Sequence, residues 1–247
     1  MGIAFLIFAL VSHEQQRVET EHHPAHWSYE GATGPEHWGE LSSEYSVCKT
    51  GREQSPIDIS HASVANLAPI EFNYSATSLR VINNGHTIQV TSNGNDFISI
   101  AGTRYQLVQF HFHHPSEEQI EGKTHVLVVH LVHQDHSGRK AVVAVLFDLG
   151  ESNPAIKTIF DNLPRVKNQE ITSAATVNPE NLLPAVRGYY TFSGSLTTPP
   201  CSEGVTWFVL KHPVTLSRSE LAKFSHLYPN NTRPVQPLNG RTVLSTR

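Results

Sequence analysis

The chain is short of several things, and each shortage removes a class of function. It has no basic excess: 18 Lys and Arg against 22 Asp and Glu give a formal charge of −4. Nucleic acids and anionic membranes recruit proteins through basic patches, so neither is an expected partner. No apolar run is long enough to cross a bilayer. The longest at the start, Ile3 to Val11, spans nine residues, against the ~20 that a membrane-crossing helix needs. Only two residues are cysteine, which allows one disulfide at most. There is no internal repeat, and past the N-terminal segment no shift in composition marks a second domain. At 247 residues the chain suits one substantial domain that buries roughly 70–75% of its unfolded surface. It needs no cofactor merely to hold a core.

What is present begins with that apolar run. Its length fits the central region of a secretory signal, although no Lys or Arg precedes it and "LVS" is a weak cleavage site. We therefore expect residues 1–12 to be an export signal, residues 13–26 a polar, His-rich linker, and residues 27–247 a single domain. A buried strand or a misplaced start codon stays open for the first segment. Export would put Cys48 and Cys201 in an oxidising compartment, where a pair invites one disulfide. That bond would close a loop of about 150 residues and stabilise by about 5 kcal/mol in the chain-entropy model. Two unpaired thiols remain the alternative.

The patterning is mostly strand. "LRVINNGHTIQV" alternates around an Asn-Gly turn signal. "RYQLVQFHFHH", "HVLVVHLVH", "AVVAVLFDL", "YYTFSGS" and "VTWFVLKHP" are rich in β-branched and aromatic residues. Two short helices are expected: one with Asn153 as cap and Pro154 at its first position, and one with Ser217 and Glu220 at capping-box spacing. The fold class is mainly β (α+β), built on a large twisted, mostly antiparallel sheet of about ten strands with few peripheral helices.

Histidine is abundant, with 16 copies. In "QFHFHHPSEE", His111 and His113 project from one face of a strand, while Phe112 and His114 project from the other. If "HVLVVHLVH" returns beside it with His130 on the same face, three imidazoles converge. Such a set suits Zn²⁺ and leaves a fourth tetrahedral position open. Spacing alone leaves the alternative of an ordinary solvated or hydrogen-bonded pair. The same alternation places His133 on the opposite face.

The residues resemble the α-class carbonic anhydrases. The resemblance is carried by "QFHFHHPSEE" followed by "HLVH", and by "QSPIDI", "NNGHTIQV", "GSLTTPPCSEGVTW" and "NTRPVQPLNGR", in the family's order from about Trp27 to Arg241. The "WSYEG…GPEHW" start and the cysteine pair are similar to the bacterial exported branch. The resemblance implies one zinc per chain on His111, His113 and His130, with zinc-bound hydroxide attacking CO₂ to give bicarbonate. Water on such a zinc loses its proton near pH 7, a figure for which carbonic anhydrase is itself the reference case. It implies that Thr197 donates to Glu117 and orients the hydroxide, and that the Thr197 N–H and Thr198 touch bicarbonate. Val132, Val142, Leu196 and Trp207 would form an apolar wall for CO₂. His86 would shuttle the proton through waters ordered by Tyr29, Asn84 and Gln89, and Gln109 would bond a zinc-ligand imidazole. A periplasmic or extracellular location and a homodimer are expected from bacterial relatives.

Three positions depart from the pattern. The family usually has glutamate two residues before the third zinc histidine, where this chain has Val128. It usually has histidine after Glu117, where this chain has Glu118. Phe192 stands where tyrosine is common. Glu118 is expected to replace in part the carboxylate missing at Val128. The alternative functions are a catalytically weak, carbonic-anhydrase-like zinc-binding protein, which would typically lack one of the three histidines, and a side activity on esters.

Overall fold

The computed structural model describes residues 25–247. The expected export signal and residues 13–24 of the expected linker lie outside the described residues.

Ten strands form the spine of one sheet: β1 (Ser63–Val64), β2 (Thr77–Asn83), β3 (Ile88–Thr91), β4 (Thr103–His113), β5 (Leu127–Gln134), β6 (Lys140–Leu149), β7 (Gln169–Val177), β8 (Tyr189–Ser195), β9 (Glu203–Leu210) and β10 (Leu244–Ser245). Their spatial order is β7-β2-β3-β4-β5-β6-β9-β8-β10-β1. Pairing along the spine is antiparallel except at β6/β9 and β10/β1. Three short strands, Glu71–Asn73, Phe97–Ile100 and Val214–Leu216, join at the sides to make thirteen. The expected hairpin at "NNGH" is β2–β3, and Gly85 takes the positive φ (86°) its turn requires.

Alternation along the central strands divides the core between the two faces of the sheet. Leu127, Val129 and Leu131 of β5 pack with Val143, Val145 and Phe147 of β6 in the larger apolar cluster. That cluster is covered by helices α1 (Pro154–Asp161) and α2 (Arg218–Leu227) through Ile156, Ile159, Phe160 and Phe224. Val128 of β5 instead packs with Val142, Ala144 and Leu146 of β6 and with Trp207 and Val209 of β9. Each Val, Leu, Ile or Phe side chain fully buried in this way contributes about 1.5–3 kcal/mol. Both helices start where the caps are expected. Asn153 Oδ1 accepts from the N–H groups of Ala155 and Ile156, and Ser217 with Glu220 closes a capping box.

Cys48 and Cys201 form a disulfide across a separation of 153 residues. With Trp38 and Tyr45 they build a third, smaller apolar cluster near the N-terminal end of the described chain. Among the described residues no helix is long and apolar enough to cross a membrane.

Candidate metal centre

The register of the central strands assembles the site in rows. One row runs Gln89, His111, His130, Ala144 across β3, β4, β5 and β6. The next runs Gln109, Val132, Val142, Trp207 across β4, β5, β6 and β9. On the other side His113 pairs with Val128. Residues in register share a face, so the rigid sheet brings three imidazoles from two strands together. One nitrogen from each of His111, His113 and His130 lies within 4.8 Å of the others.

The remaining nitrogen of each ring is held by an acceptor. His111 Nδ1 lies 2.8 Å from Gln109 Oε1. His113 Nδ1 lies 2.7 Å from the backbone oxygen of Asn231. His130 Nε2 lies 3.1 Å from Glu118 Oε2. An acceptor obliges the nitrogen facing it to carry the hydrogen, so in a neutral imidazole the other nitrogen keeps its lone pair. Lone pairs are thereby assigned to His111 Nε2, His113 Nε2 and His130 Nδ1. His113 Nε2 is buried and has no hydrogen-bond partner among the described residues. Burial, followed by the charge of His130, pushes His111 down to about 3. Burial, followed by the charges of His130 and His111, also holds His113 well below the usual histidine range. At His130 burial acts in the same direction, but the charge and hydrogen bond of Glu118, with help from Glu117, raise it overall. Three inward-facing nitrogen donors, each with its tautomer set from behind, fit a zinc ion.

Glu117 is fully enclosed. Its Oε1 accepts from the Arg233 N–H at 2.8 Å, and its Oε2 sits 3.5 Å from His113 Nε2 and 3.9 Å from His130 Nδ1. Burial pushes its carboxyl up to about 7, against the opposing pull of His130, Arg233 and Thr197. Thr197 is near enough to favour the charged form, but among the described residues Oε2 has no hydrogen bond of ordinary geometry. Arg233 is buried as well. Its Nη1 donates to Gln54 Oε1 and the Ser55 carbonyl, and its Nη2 donates to the Cys48 carbonyl. The carboxylate beside the histidines is thus tied through one arginine to the disulfide loop.

A cavity of ≈ 280 Å³ opens over the histidines. Its walls include His111, His130, Gln109, Val132, Val142, Leu196, Thr197, Thr198 and Trp207. The loop carrying Leu196 to Thr198 is closed by Leu196 N–H to the Ser202 carbonyl (3.0 Å) and Cys201 N–H to the Thr198 carbonyl (2.8 Å). Trp207 donates Nε1–H to the Ser195 carbonyl and stacks on Phe192 with ring centroids 6.2 Å apart. Phe192, lacking a phenol, therefore contributes a flat apolar surface behind the wall.

His133 keeps the expected alternation: it pairs in register with Ala141, on the face of the larger apolar cluster, and its Nε2 meets the Tyr74 hydroxyl at 2.7 Å. The β4/β5 register shifts beside it, between Val132 and His133, where Val108 of β4 is the extra residue.

The residues expected to serve proton transfer lie on or near the β2–β3 turn. His86 stacks flat on Trp27, with ring centroids 3.7 Å apart and planes 9° from parallel. Burial, with lesser contributions from His26 and Lys167, lowers its pKa. Asn84 Oδ1 accepts from the His86 and Thr87 N–H groups, so its oxygen shapes the turn. Gln89 pairs in register with His111. The Tyr29 hydroxyl is buried without a partner among the described residues, and burial, then Glu117, raises its pKa well above the usual value. Sequence reasoning did not single out Asn231, Arg233 or Trp27. The first two stand in the quoted block "NTRPVQPLNGR", but neither a backbone carbonyl nor a ring stack leaves a periodic signal.

The arrangement defines a class first: a β-sheet protein with a three-histidine cluster able to hold a metal ion at the floor of an apolar-walled cavity. The family model described as eukaryotic-type carbonic anhydrase matches residues 33–247. The carbonic anhydrase of Klebsiella pneumoniae is 48% identical over 223 residues, covering 89% of this chain and 91% of that protein. That of Pectobacterium carotovorum is 43% identical over 220 residues, covering 89% and 90%. The solved α-carbonic anhydrase of Thermovibrio ammonificans, in complex with the inhibitor sulfanilamide, superposes with a TM-score of 0.88 at 48% identity, covering 90% of this chain and 100% of that one. The chain belongs to the eukaryotic-type, or α-class, carbonic anhydrases.

Proposed function

We propose that this protein is a zinc-dependent carbonic anhydrase, hydrating CO₂ reversibly to bicarbonate and a proton. The observation that carries this reading is the set of three converged imidazoles, each with its outer nitrogen held by an acceptor. Family membership supports it. The ion would be held by His111, His113 and His130, and the chemistry it supplies there is Lewis acidity toward water, for which this family is itself the standard example.

The chain's own residues do the rest. Thr197 donates its hydroxyl proton to Glu117, because an ionised carboxylate can only accept. Its oxygen is then left to accept a hydrogen bond from the nucleophile and so to aim that group's lone pair. A cation beside Glu117 favours the ionised form this role requires. Val132, Val142, Leu196 and Trp207 hold uncharged CO₂ weakly against the histidine floor. The Thr197 N–H and the Thr198 hydroxyl hold the bicarbonate oxygens. His86, with its depressed pKa, is neutral at pH 7 and able to accept a proton. It receives the proton through bridging waters near Tyr29, Asn84 and Gln89 and releases it to solvent.

Residues 27–247 form the catalytic domain in this reading. Residues 1–12 direct export to the periplasm or beyond, and the disulfide agrees with an oxidising destination. The assembly is a homodimer. Stopped-flow CO₂ hydration with and without a zinc chelator tests the activity. Fast turnover that chelation abolishes and zinc restores is expected, and absence of turnover in fully zinc-loaded protein would overturn the reading.

A further inference from the structure

We infer that Glu118 orients His130 for metal binding, filling from a loop the role that a carboxylate at position 128 would fill from strand β5. This rests on His130 being a zinc ligand, as proposed above.

Val128 and Glu118 are both 0% exposed. Val128 lies on the same face of β5 as His130, two residues before it, and packs among apolar side chains. It offers no acceptor. A fully buried carboxylate is stable only when paired, and Glu118 finds its partner in His130 Nε2 at 3.1 Å. Glu118 and Glu117 bracket one imidazole: Glu118 Oε2 faces Nε2, while Glu117 Oε2 stands 3.9 Å from Nδ1. The first contact fixes which nitrogen carries the hydrogen, and with it which nitrogen keeps the lone pair.

The backbone that presents Glu118 is braced from both sides. The Ser116 N–H donates to the His125 carbonyl, the His125 N–H returns to Ser116 Oγ, and Ser116 Oγ–H donates to the Glu118 carbonyl, each at 2.9 Å. Immediately after, Gln119–Ile120 runs parallel to Asp58–Ile59 and antiparallel to Lys123–Thr124 in a separate three-stranded sheet. The orienting group therefore stands on an element distinct from the strand that carries the ligand. Ser116 acts one step further back, as a positioning residue for Glu118.

The test reads zinc release into excess chelator from zinc-loaded protein, beside CO₂ hydration. Glu118→Gln keeps the shape and one acceptor oxygen but loses the charge, and is expected to release zinc about 10-fold faster; Glu118→Ala is expected to approach 100-fold. Adding Val128→Glu to Glu118→Ala should return the rate to within a few-fold of wild type. Wild-type release rates in both single variants overturn the assignment. A double variant no slower than Glu118→Ala overturns the shared role of the two positions. His130→Ala separates the underlying reading: undiminished zinc affinity in that variant rejects His130 as a ligand, whatever Glu118 does.

Discussion

His113 shows how much a single ring depends on its back side. Its Nδ1 is committed to the Asn231 carbonyl, leaving Nε2 buried and without a hydrogen-bond partner among the described residues. His113→Ala should reduce zinc affinity by at least 100-fold, measured by chelator competition, because two imidazoles and a cavity remain. His86 belongs to the same scale with a different signature. His86→Ala should slow CO₂ hydration roughly 10-fold or more at low buffer concentration, within the ~10²–10⁴-fold that positioned proton transfer supplies. Added imidazole buffer should restore the rate, since a mobile base can carry the proton instead. Equal slowing at every buffer concentration would reject the shuttle role. The sequence made both histidines visible through spacing and family blocks. It offered Glu118 as a partial replacement for the carboxylate missing at Val128. The hydrogen bond between Glu118 and His130 is the contact that expectation needs, and it depends on how a loop folds back against a strand.

At the scale of elements, the β5–β6 turn is organised by one carboxylate. Asp135 Oδ1 accepts from the Ser137 N–H and hydroxyl and from the Arg139 N–H, while Oδ2 accepts from Arg139 Nε at 2.7 Å. Although removal from water raises its pKa, these bonds more than offset that and lower it overall. A carboxyl with a depressed folded pKa stabilises above its unfolded value, near 3.9. That stability disappears only as pH falls through the lower folded value. The Arg139 amide should therefore stay protected from hydrogen exchange at pH 4–5 in the wild type and lose protection in Asp135→Ala.

His133, two residues earlier, carries the same sign for a base. Burial pushes it down to about 3. The unfolded chain takes up a proton near 6.5, so the neutral, buried ring stabilises fully above that pH. The advantage is lost as pH falls from about 6.5 toward about 3, by about 1.4 kcal/mol per unit. In zinc-free protein, His133→Gln should flatten the pH dependence of denaturant stability over pH 4–6.5 relative to wild type.

Long strands and both capped helices were legible because their periodicity and end residues are local. Strand β7 was missed. Its side chains are mostly small or polar, and it lies at the edge of the sheet with alternate residues exposed. The two- and three-residue strands are too short to show a period.

For the whole molecule, the disulfide joins parts of the chain that also serve the site. Cys201 closes the loop bearing Thr197 and Thr198, and the Cys48 carbonyl accepts from Arg233, whose N–H holds Glu117. Reduction should lower global stability by about 5 kcal/mol, as the chain-entropy model gives for a loop of this length. It should also lower CO₂ hydration at temperatures where the fold persists. Unchanged activity in fully reduced, folded protein would show that the site stands without it.

The sequence by itself determined the strand-rich class, the three histidines as candidate metal ligands, the cysteine pair and the family blocks, because residue type and short-range spacing are local properties of the chain. Only the tertiary structure decided which acceptor stands behind each imidazole, which nitrogen keeps its lone pair, where the bulge at Val108 of β4 falls, and that Glu118 meets His130. Those features come from groups distant along the chain; Asn231 reaches His113 across 118 residues. No local pattern encodes such a meeting. It follows from strand register and loop packing, which the whole fold sets at once.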